Sequence, residues 1–191
     1  MTSSRNGSRH LRSDLAWVRS MGGPLIVIPA SAVDQWGGCT EDGIIVGGTE
    51  VPDDYDRACG VGGWAGTVVV GGEASGLVLA DEPATTCYLS DQHVFVRWLA
   101  ADSDVELLDA ARAVLDDPAT EWEECGVWET DGSAILLDSA VAGADLAVEY
   151  PDRGGLPEQA QVAVPAGRWS VRATHKTGDY PWVGVVQLRS V

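Results

Sequence analysis

The chain has 191 residues, of which 45% are hydrophobic, and its formal net charge at pH 7 is -17. A chain of this length and composition can form one substantial domain or two small ones around a hydrophobic core, so disorder of the whole chain is not expected. The acidic balance argues against a nucleic-acid-binding protein, because contact with phosphates requires a basic surface. Neutral or basic partners are favoured instead.

The charge is distributed unevenly along the chain. Residues 1–20 carry a net charge of +3, whereas the rest of the chain carries -20. Residues 1–14 lack the apolar segment and the cleavage site of a signal peptide, so we interpret residues 1–15 as a flexible basic tail and residues 16–191 as one domain. No run of about 18 apolar residues occurs, which argues against a membrane span. We therefore expect a cytoplasmic protein.

Short β-branched runs bordered by glycine or proline predict several strands before residue 101. The predicted strands comprise residues 24–28, 42–48, 68–70, 76–83 and 93–100. The turn-rich sequence GGEASG between the third and fourth of these predicts a β-hairpin. The last strand alternates, so we expect Val94, Val96 and Trp98 on one side of a sheet.

One helix is predicted, at residues 103–117. Ser103 is a good N-cap, and Glu106 stands at the position of its capping-box partner. Apolar residues from Leu107 to Leu115 recur at helical spacing and form one stripe. The sequence Asp-Asp-Pro at residues 116–118 ends the helix.

The remainder of the chain again has the pattern of strands. The predicted strands comprise residues 121–130, 133–139, 145–150, 161–165, 168–175 and 182–188. Residues 165–167, Pro-Ala-Gly, are expected to form the corner of a hairpin. The fold class is therefore α+β and β-rich, with mostly antiparallel strands and one clear helix. It forms either one continuous domain or two β-rich halves with a boundary near residue 118.

Motifs for cofactor or metal binding are weak. The glycines between Gly60 and Gly66 precede a predicted strand, whereas a dinucleotide-binding loop must open a helix. The four cysteines include no C-x-x-C pair and no histidine at ligand spacing, so zinc is not expected. In a cytosolic protein of this size we expect reduced thiols. The sequence predicts no cofactor and no metal.

Two alternative functions remain open at this point. Cys59 could act as the nucleophile of a small thiol hydrolase if folding brings it to His93 or His175, with Asp56 orienting the histidine. Against this, cysteine is a commonly buried residue, and nothing around Cys59 forms a nucleophile signature. The second alternative is a β-rich ligand-binding module whose tryptophans line a pocket.

Acidic residues are concentrated in two segments. Residues 102–131 carry a net charge of -10, and residues 41–56 contain six acids and no base. An acidic surface accelerates encounter with a basic protein and can imitate a phosphate backbone. The alternative is that the acidic residues only keep the protein soluble. The chain has eight tryptophans. One or two of them, if exposed beside the acids, would be good interface anchors.

Several short motifs together resemble one protein family. They are WVRSMGGPLIVIP near the start, WGG at 36–38, DYDRAC at 54–59, LVLADEP at 77–83, VRW at 96–98 and VPAGRWSV at 164–171. In order and spacing they are similar to the immunity protein 21 family of bacterial polymorphic toxin systems, over residues 17–189. The resemblance implies a small cytoplasmic protein that binds and blocks a toxin encoded beside it. It implies no enzymatic activity and no cofactor.

Charge, and not the resemblance, suggests which residues contact the toxin. The candidate toxin-binding residues are Asp53, Asp54, Tyr55, Asp56, Trp36, Asp81, Glu82, Glu121, Glu123 and Glu124. We expect the partner to be a basic toxin domain, plausibly a nuclease, and we expect no nucleic acid or membrane as partner. Within DDYDRAC at 53–59, Tyr55 and Cys59 are expected to face inward. Arg57 is expected to pair with a neighbouring carboxylate, and Asp53 and Asp54 to face solvent.

Overall fold

The structure, a computed structural model, describes residues 15–40, 51–80 and 82–191, and of Asp152 the backbone alone. The predicted strand at 42–48 and the candidate residue Asp81 lie outside the described residues.

The described residues form eleven strands and two α-helices. In chain order these are β1 (Trp17–Val18), β2 (Leu25–Pro29), α1 (Asp54–Cys59), β3 (Gly66–Val70), β4 (Ala74–Leu79), β5 (Thr85–Leu89), β6 (Val94–Ala100), α2 (Asp104–Asp116), β7 (Glu123–Thr130), β8 (Ala134–Asp138), β9 (Gln159–Val162), β10 (Gly167–Lys176) and β11 (Trp182–Ser190). Single 3₁₀ turns occur at Val33–Gln35, Gly143–Asp145 and Pro151–Arg153. The prediction of a β-rich chain with one substantial helix is confirmed.

The strands form two antiparallel sheets. The six-stranded sheet has the order β1-β5-β6-β11-β10-β7, and the five-stranded sheet has the order β3-β4-β2-β8-β9. Each sheet therefore combines strands from before and after residue 118. The predicted hairpin is present, since β3 pairs with β4 from Gly66 opposite Val78 to Val70 opposite Ala74.

The two sheets pack face to face as a sandwich. Their inner faces share one apolar cluster that includes Leu25 and Val27 of β2 and Phe95 of β6. Successive side chains of a strand point to opposite faces, so Ile26 and Ile28 lie on the outer face of the five-stranded sheet. There they are covered by Trp36, Ala58 and Leu146. Because both faces of the sheet are buried at β2, its sequence is a continuous run of apolar residues.

Helix α2 covers the outer face of the six-stranded sheet. Leu107 and Ala111 are fully buried in a cluster with Val96 and Val183. At the N-terminus, the Ser103 hydroxyl accepts a hydrogen bond from the Glu106 backbone N–H, as predicted. The Glu106 carboxylate, however, accepts from the backbone N–H of Asp102 at 2.9 Å. In a capping box this carboxylate would accept from the backbone N–H of Ser103, so this hydrogen bond is shifted by one residue.

The prediction of a strand at residues 145–150 is wrong. The segment begins at the end of the 3₁₀ turn Gly143–Asp145 and pairs with no strand among the described residues. The turn packs closely on the Val33–Gln35 turn, because the Gly143 backbone N–H donates to the Trp36 carbonyl at 2.8 Å. A Cβ on Gly143 would lie 1.7 Å from the Val33 carbonyl oxygen, so this approach requires glycine. Tertiary packing outweighs the alternating pattern of the segment.

The hairpin predicted around residues 165–167 is also wrong. Strand β9 pairs with β8 in the five-stranded sheet, whereas β10 pairs with β7 and β11 in the six-stranded sheet. The corner therefore carries the chain from one sheet to the other. Pro165 stands between the strands, where its missing N–H costs no ladder hydrogen bond.

Candidate functional site: an aromatic groove with an acidic rim

Several strand ends meet at one end of the sandwich. Strands β6 and β10 end there and β11 begins there, with Trp182 opposite Ala100 and Lys176 opposite Val183. The connection from β4 to β5 and the residues before β3 reach the same end. Between them lies an open cavity of about 390 Å³. We call it the aromatic groove, and its lining includes Trp64, Glu82, Trp98, Leu99, His175 and Trp182.

The rings of the groove are held by their neighbours. The Trp64 ring is stacked on the His175 ring, with centroids 4.8 Å apart and planes 11° apart. Trp98 makes an edge-to-face contact with Trp17, with centroids 5.3 Å apart. The Trp182 indole N–H donates to the Gly178 carbonyl at 3.3 Å, and 42% of Trp182 is exposed. Rings fixed in this way lose little conformational entropy when a partner binds.

Gly184 creates the space for this arrangement. It lies opposite His175 of β10 on one side and opposite Arg97 of β6 on the other. Directly opposed residues of neighbouring strands have Cβ atoms about 5 Å apart, so the side chains of His175 and Arg97 both border this position. A Cβ on Gly184 would lie 3.0 Å from the His175 ring and 3.1 Å from the Arg97 Cβ atom. Glycine thus allows the His175 ring to stack on Trp64.

The rim of the groove is acidic. Glu82 is exposed, and its carbonyl oxygen accepts a hydrogen bond from the guanidinium of Arg97, which is itself fully buried. Glu123 accepts a hydrogen bond from the Trp64 backbone N–H at 3.1 Å. Desolvation, followed by a hydrogen bond to Asp102, raises the pKa of Tyr180 to about 12. Asp102 therefore lies beside Tyr180, and Tyr180 precedes Trp182 by two residues along the chain.

Of the sequence-based candidates, Glu82 lines the groove, and Glu123 lies beside it on the backbone of Trp64. Glu121 and Glu124 are exposed at the start of β7, an edge strand of the six-stranded sheet. Between them, the Trp122 ring is covered by the Arg172 guanidinium at 4.1 Å from its centroid. These two acids therefore extend the acidic surface along the sheet edge and do not line the groove.

The sequence DDYDRAC forms the N-cap and the whole of helix α1. Asp53 and Asp56 make a reciprocal capping box, with hydrogen bonds of 2.8 and 3.0 Å. Asp54 forms an ion pair with Arg57, which confirms that prediction, and also accepts from the Gly37 backbone N–H at 2.8 Å. The three carboxylates thus hold the local backbone, and none of them is fully exposed.

The predicted orientation of Cys59 is wrong, because Cys59 is exposed at the end of α1. Tyr55 is half-buried. Its hydrogen bond with Cys59, followed by partial burial, raises the pKa of Tyr55 to about 12.

Trp36 is not available as a surface anchor. Its relative exposure is 1%, and its indole N–H donates to the Ser139 carbonyl at 2.9 Å. Among the described residues, the one tryptophan with an exposed side chain is instead Trp182 of the groove, whereas Trp64 and Trp98 are partly buried. The sequence singled out none of these three as an anchor. One signal was present, since Trp98 and Trp182 stand near strand ends, where the cover by neighbouring elements runs out.

The structure places Cys59 and the two candidate histidines in separate surroundings. The His93 ring contacts the Tyr88 hydroxyl at 3.0 Å and the Trp169 ring at 4.9 Å. His175 is stacked in the aromatic groove, whereas Cys59 lies beside Tyr55.

All four cysteines lie within the described residues and are unpaired. Burial raises the pKa of Cys87 to about 12 and that of Cys125 to about 11. In the described part of the chain, no group of three or more His, Cys, Asp or Glu side chains could hold a metal ion.

Fold and groove together define the class of the chain, an acidic two-sheet β-sandwich with an open aromatic groove at one end. The model of the family described as Immunity protein 21 matches residues 16–180. The chain therefore belongs to the immunity protein 21 family, which implies an immunity protein with a toxin, in general terms, as its partner. No curated protein and no solved structure shows a significant match. Among the described helices, none has the length and apolar character needed to span a membrane.

Proposed function

We propose that this protein binds and neutralises a cognate bacterial toxin with a basic binding surface, such as a nuclease domain, in the cytoplasm of the producing cell. The observation that carries the proposal is the exposed aromatic groove with its acidic rim, in a member of an immunity family. Interface hot spots are typically large aromatic side chains in pockets surrounded by polar residues. The groove has this composition.

Electrostatics favours a toxin that acts on nucleic acid. Such a toxin must carry a basic surface to contact phosphates. An inhibitor with a net charge of -17 is attracted to that surface over long distances and can cover it. The exposed acids Glu121, Glu123 and Glu124 provide such attraction next to the groove.

In the proposed interface, the candidate residues have different roles. Glu82 and Glu123 contact the toxin at the groove, where Trp182 and Trp98 are the anchors. Asp53, Asp54 and Asp56 contribute to the acidic field, while their hydrogen bonds hold helix α1. Trp36 supports the fold from the interior.

Co-expression with the toxin encoded next to the gene tests the proposal. We expect this protein to restore growth and to form a complex with a Kd below about 1 µM, which corresponds to about 8 kcal/mol of binding free energy. The rate of association should fall as salt increases, because salt screens exposed charges. Failure of both the growth rescue and the complex would refute the proposal.

A matched pair of charge variants locates the interface. Glu82→Gln removes one charge at the groove, and Glu73→Gln removes one charge at the exposed turn between β3 and β4. Because β4 runs from that turn towards the groove, the turn lies at the opposite end of the sandwich. We expect Glu82→Gln to weaken the complex more than Glu73→Gln. Equal effects would mean that only the overall charge matters and that the interface lies elsewhere.

A further inference from the structure

The aromatic groove has the chemistry of a cation site. The face of an aromatic ring is electron-rich, and tryptophan attracts cations more strongly than the other aromatic residues do. The groove brings together Trp64, Trp98 and Trp182 and opens at the surface. Its volume of about 390 Å³ exceeds that of a single long side chain, so such a side chain could enter without rearrangement of the rings.

Carboxylates stand where they would stabilise a cation between these rings. Glu82 lines the groove. Asp102 stands two residues after Ala100, which lies opposite Trp182. The Glu106 carboxylate accepts a hydrogen bond from the Asp102 backbone N–H. An apolar occupant would cover the Glu82 carboxylate without pairing it, which costs free energy. A cationic occupant pairs with Glu82 and contacts the ring faces at the same time.

The positive charge of the buried Arg97 guanidinium repels a cation that enters the groove. It donates hydrogen bonds to the carbonyl oxygens of Ala80 and Glu82, which are the negative ends of two peptide dipoles. These bonds also fix the backbone that carries Glu82. The three carboxylates Glu82, Asp102 and Glu106 outnumber the two basic side chains Arg97 and Lys176 at this end of the sandwich. They also lie closer to solvent than the buried Arg97 guanidinium does.

The protein contains an internal example of the same interaction. On the outer face of the six-stranded sheet, the Arg172 guanidinium lies 4.1 Å from the centroid of the Trp122 ring. Gln187 accepts hydrogen bonds from two nitrogens of that guanidinium, at 2.8 and 2.6 Å. An arginine stacked on tryptophan and fixed by a side-chain oxygen is therefore compatible with this surface.

We propose that the aromatic groove receives an arginine side chain of the toxin, stacked on the tryptophan rings and paired with Glu82. This inference rests on the proposed function. Arginine is preferred to lysine because its planar guanidinium can stack on a ring and donate two hydrogen bonds to one carboxylate, and because it is less strongly hydrated.

A peptide experiment tests the chemistry of the groove without the toxin. The probe is a capped tetra-arginine peptide, and its control is the corresponding tetra-citrulline peptide, which has nearly the same shape but no charge. We expect tetra-arginine to shift the indole N–H NMR signals of Trp98 and Trp182 in a saturable manner. Tetra-citrulline should bind at least about ten times more weakly. Equal binding of the two peptides would overturn the assignment of a cation site.

Variants separate the groove from the general acidity of the protein. Glu82→Gln and Trp182→Ala should each weaken tetra-arginine binding, whereas Glu73→Gln should change it little. Far-ultraviolet circular dichroism verifies that each variant is folded, and Glu82→Gln tests the site without removal of a ring. If Glu73→Gln weakens binding as much as Glu82→Gln, the peptide recognises charge alone and the inference fails.

The cognate toxin distinguishes this inference from the proposed function. With the toxin, Trp182→Ala should weaken the complex about 30-fold or more, the loss typical of a hot-spot residue. If the wild-type protein neutralises the toxin and Trp182→Ala and Glu82→Gln bind it equally well, the inference fails and the proposed function stands. If the wild-type protein neither binds nor neutralises the toxin, the proposed function fails, and with it the toxin as source of the arginine.

Discussion

Replacement of Gly184 by alanine tests the packing beneath the groove. The added Cβ would lie 3.0 Å from the His175 ring and 3.1 Å from the Arg97 Cβ atom, a few tenths of an ångström too close on both sides. Overpacking of a buried position costs about 1 to 3 kcal/mol. Alanine also lowers the conformational entropy of the unfolded chain, which offsets about 0.4 to 1 kcal/mol of this cost. The central values leave a net destabilisation of about 1.3 kcal/mol, or about 3 to 5 °C in Tm.

Urea denaturation followed by tryptophan fluorescence measures this change. Gly178→Ala is the matched control, because Gly178 is near the groove and a Cβ there would meet no atom within 4 Å. It should leave stability unchanged or raise it slightly. Near-ultraviolet circular dichroism should change for Gly184→Ala, since displacement of the His175 ring disturbs its stack on Trp64. If Gly184→Ala is as stable as Gly178→Ala, the account of the His175, Gly184 and Arg97 row is wrong.

Other predictions concern the capping box, the thiols and the core. Burial raises the pKa of Asp53, but hydrogen bonds from the backbone of Asp56 and Thr40 outweigh it and hold that pKa below 3.8. The stability that the Asp53 carboxylate contributes is therefore fully present at pH values above its unfolded-state pKa. It is lost as the pH falls through its folded-state pKa. Asp53→Ala should cost about 1 kcal/mol at pH 7 and less in acid, and a pH-independent loss in urea titrations would contradict this. The raised pKa of Cys87 should keep it unreactive towards thiol reagents at pH 8 until the protein unfolds, and reaction in the folded state would show that its burial is misjudged. Fast reaction of Cys59 near pH 6 would instead favour a thiol hydrolase. Trp36→Ala should cost about 3 to 5 kcal/mol, and a folded variant should retain toxin affinity. Loss of affinity in the folded variant would place Trp36 at the interface.

Elements with strong local signals were predictable. Helix α2 has a capping residue, an apolar stripe and a proline stop, and its predicted range 103–117 agrees closely with Asp104–Asp116. The β3–β4 hairpin was predictable because two β-branched runs flank a turn-rich connector. In both cases the deciding interactions lie within a few residues of one another.

Elements whose partners are distant in sequence were not predictable. Residues 145–150 alternate like a strand, yet the turn at their start packs against Val33–Gln35, and the described part of the chain offers them no strand partner. Residues 161–165 and 168–175 read as a hairpin, yet β9 and β10 belong to different sheets. Local patterns do not specify which of two sheets a strand joins.

The candidate site likewise contains residues that were predictable from the sequence and residues that were not. Glu82 and Glu123 were identified from charge, and Glu82 lines the groove, while Glu123 contacts the Trp64 backbone beside it. Trp36 was selected as an anchor but is buried, whereas Trp182 was not selected individually and is 42% exposed. Acids tend to remain at the surface wherever they stand in the chain, but the exposure of a tryptophan depends on what covers it.

The sequence by itself determined the acidic balance, the family and the elements with local signals, because charge, motif order and periodicity are properties of the linear chain. Only the tertiary structure decided that Trp64, Trp98 and Trp182 meet in one groove beside Glu82. These residues come from separate segments, and they meet because two sheets stack and several of their strands end at the same edge. Burial and proximity arise from that stacking, which depends on contacts between residues far apart in the chain.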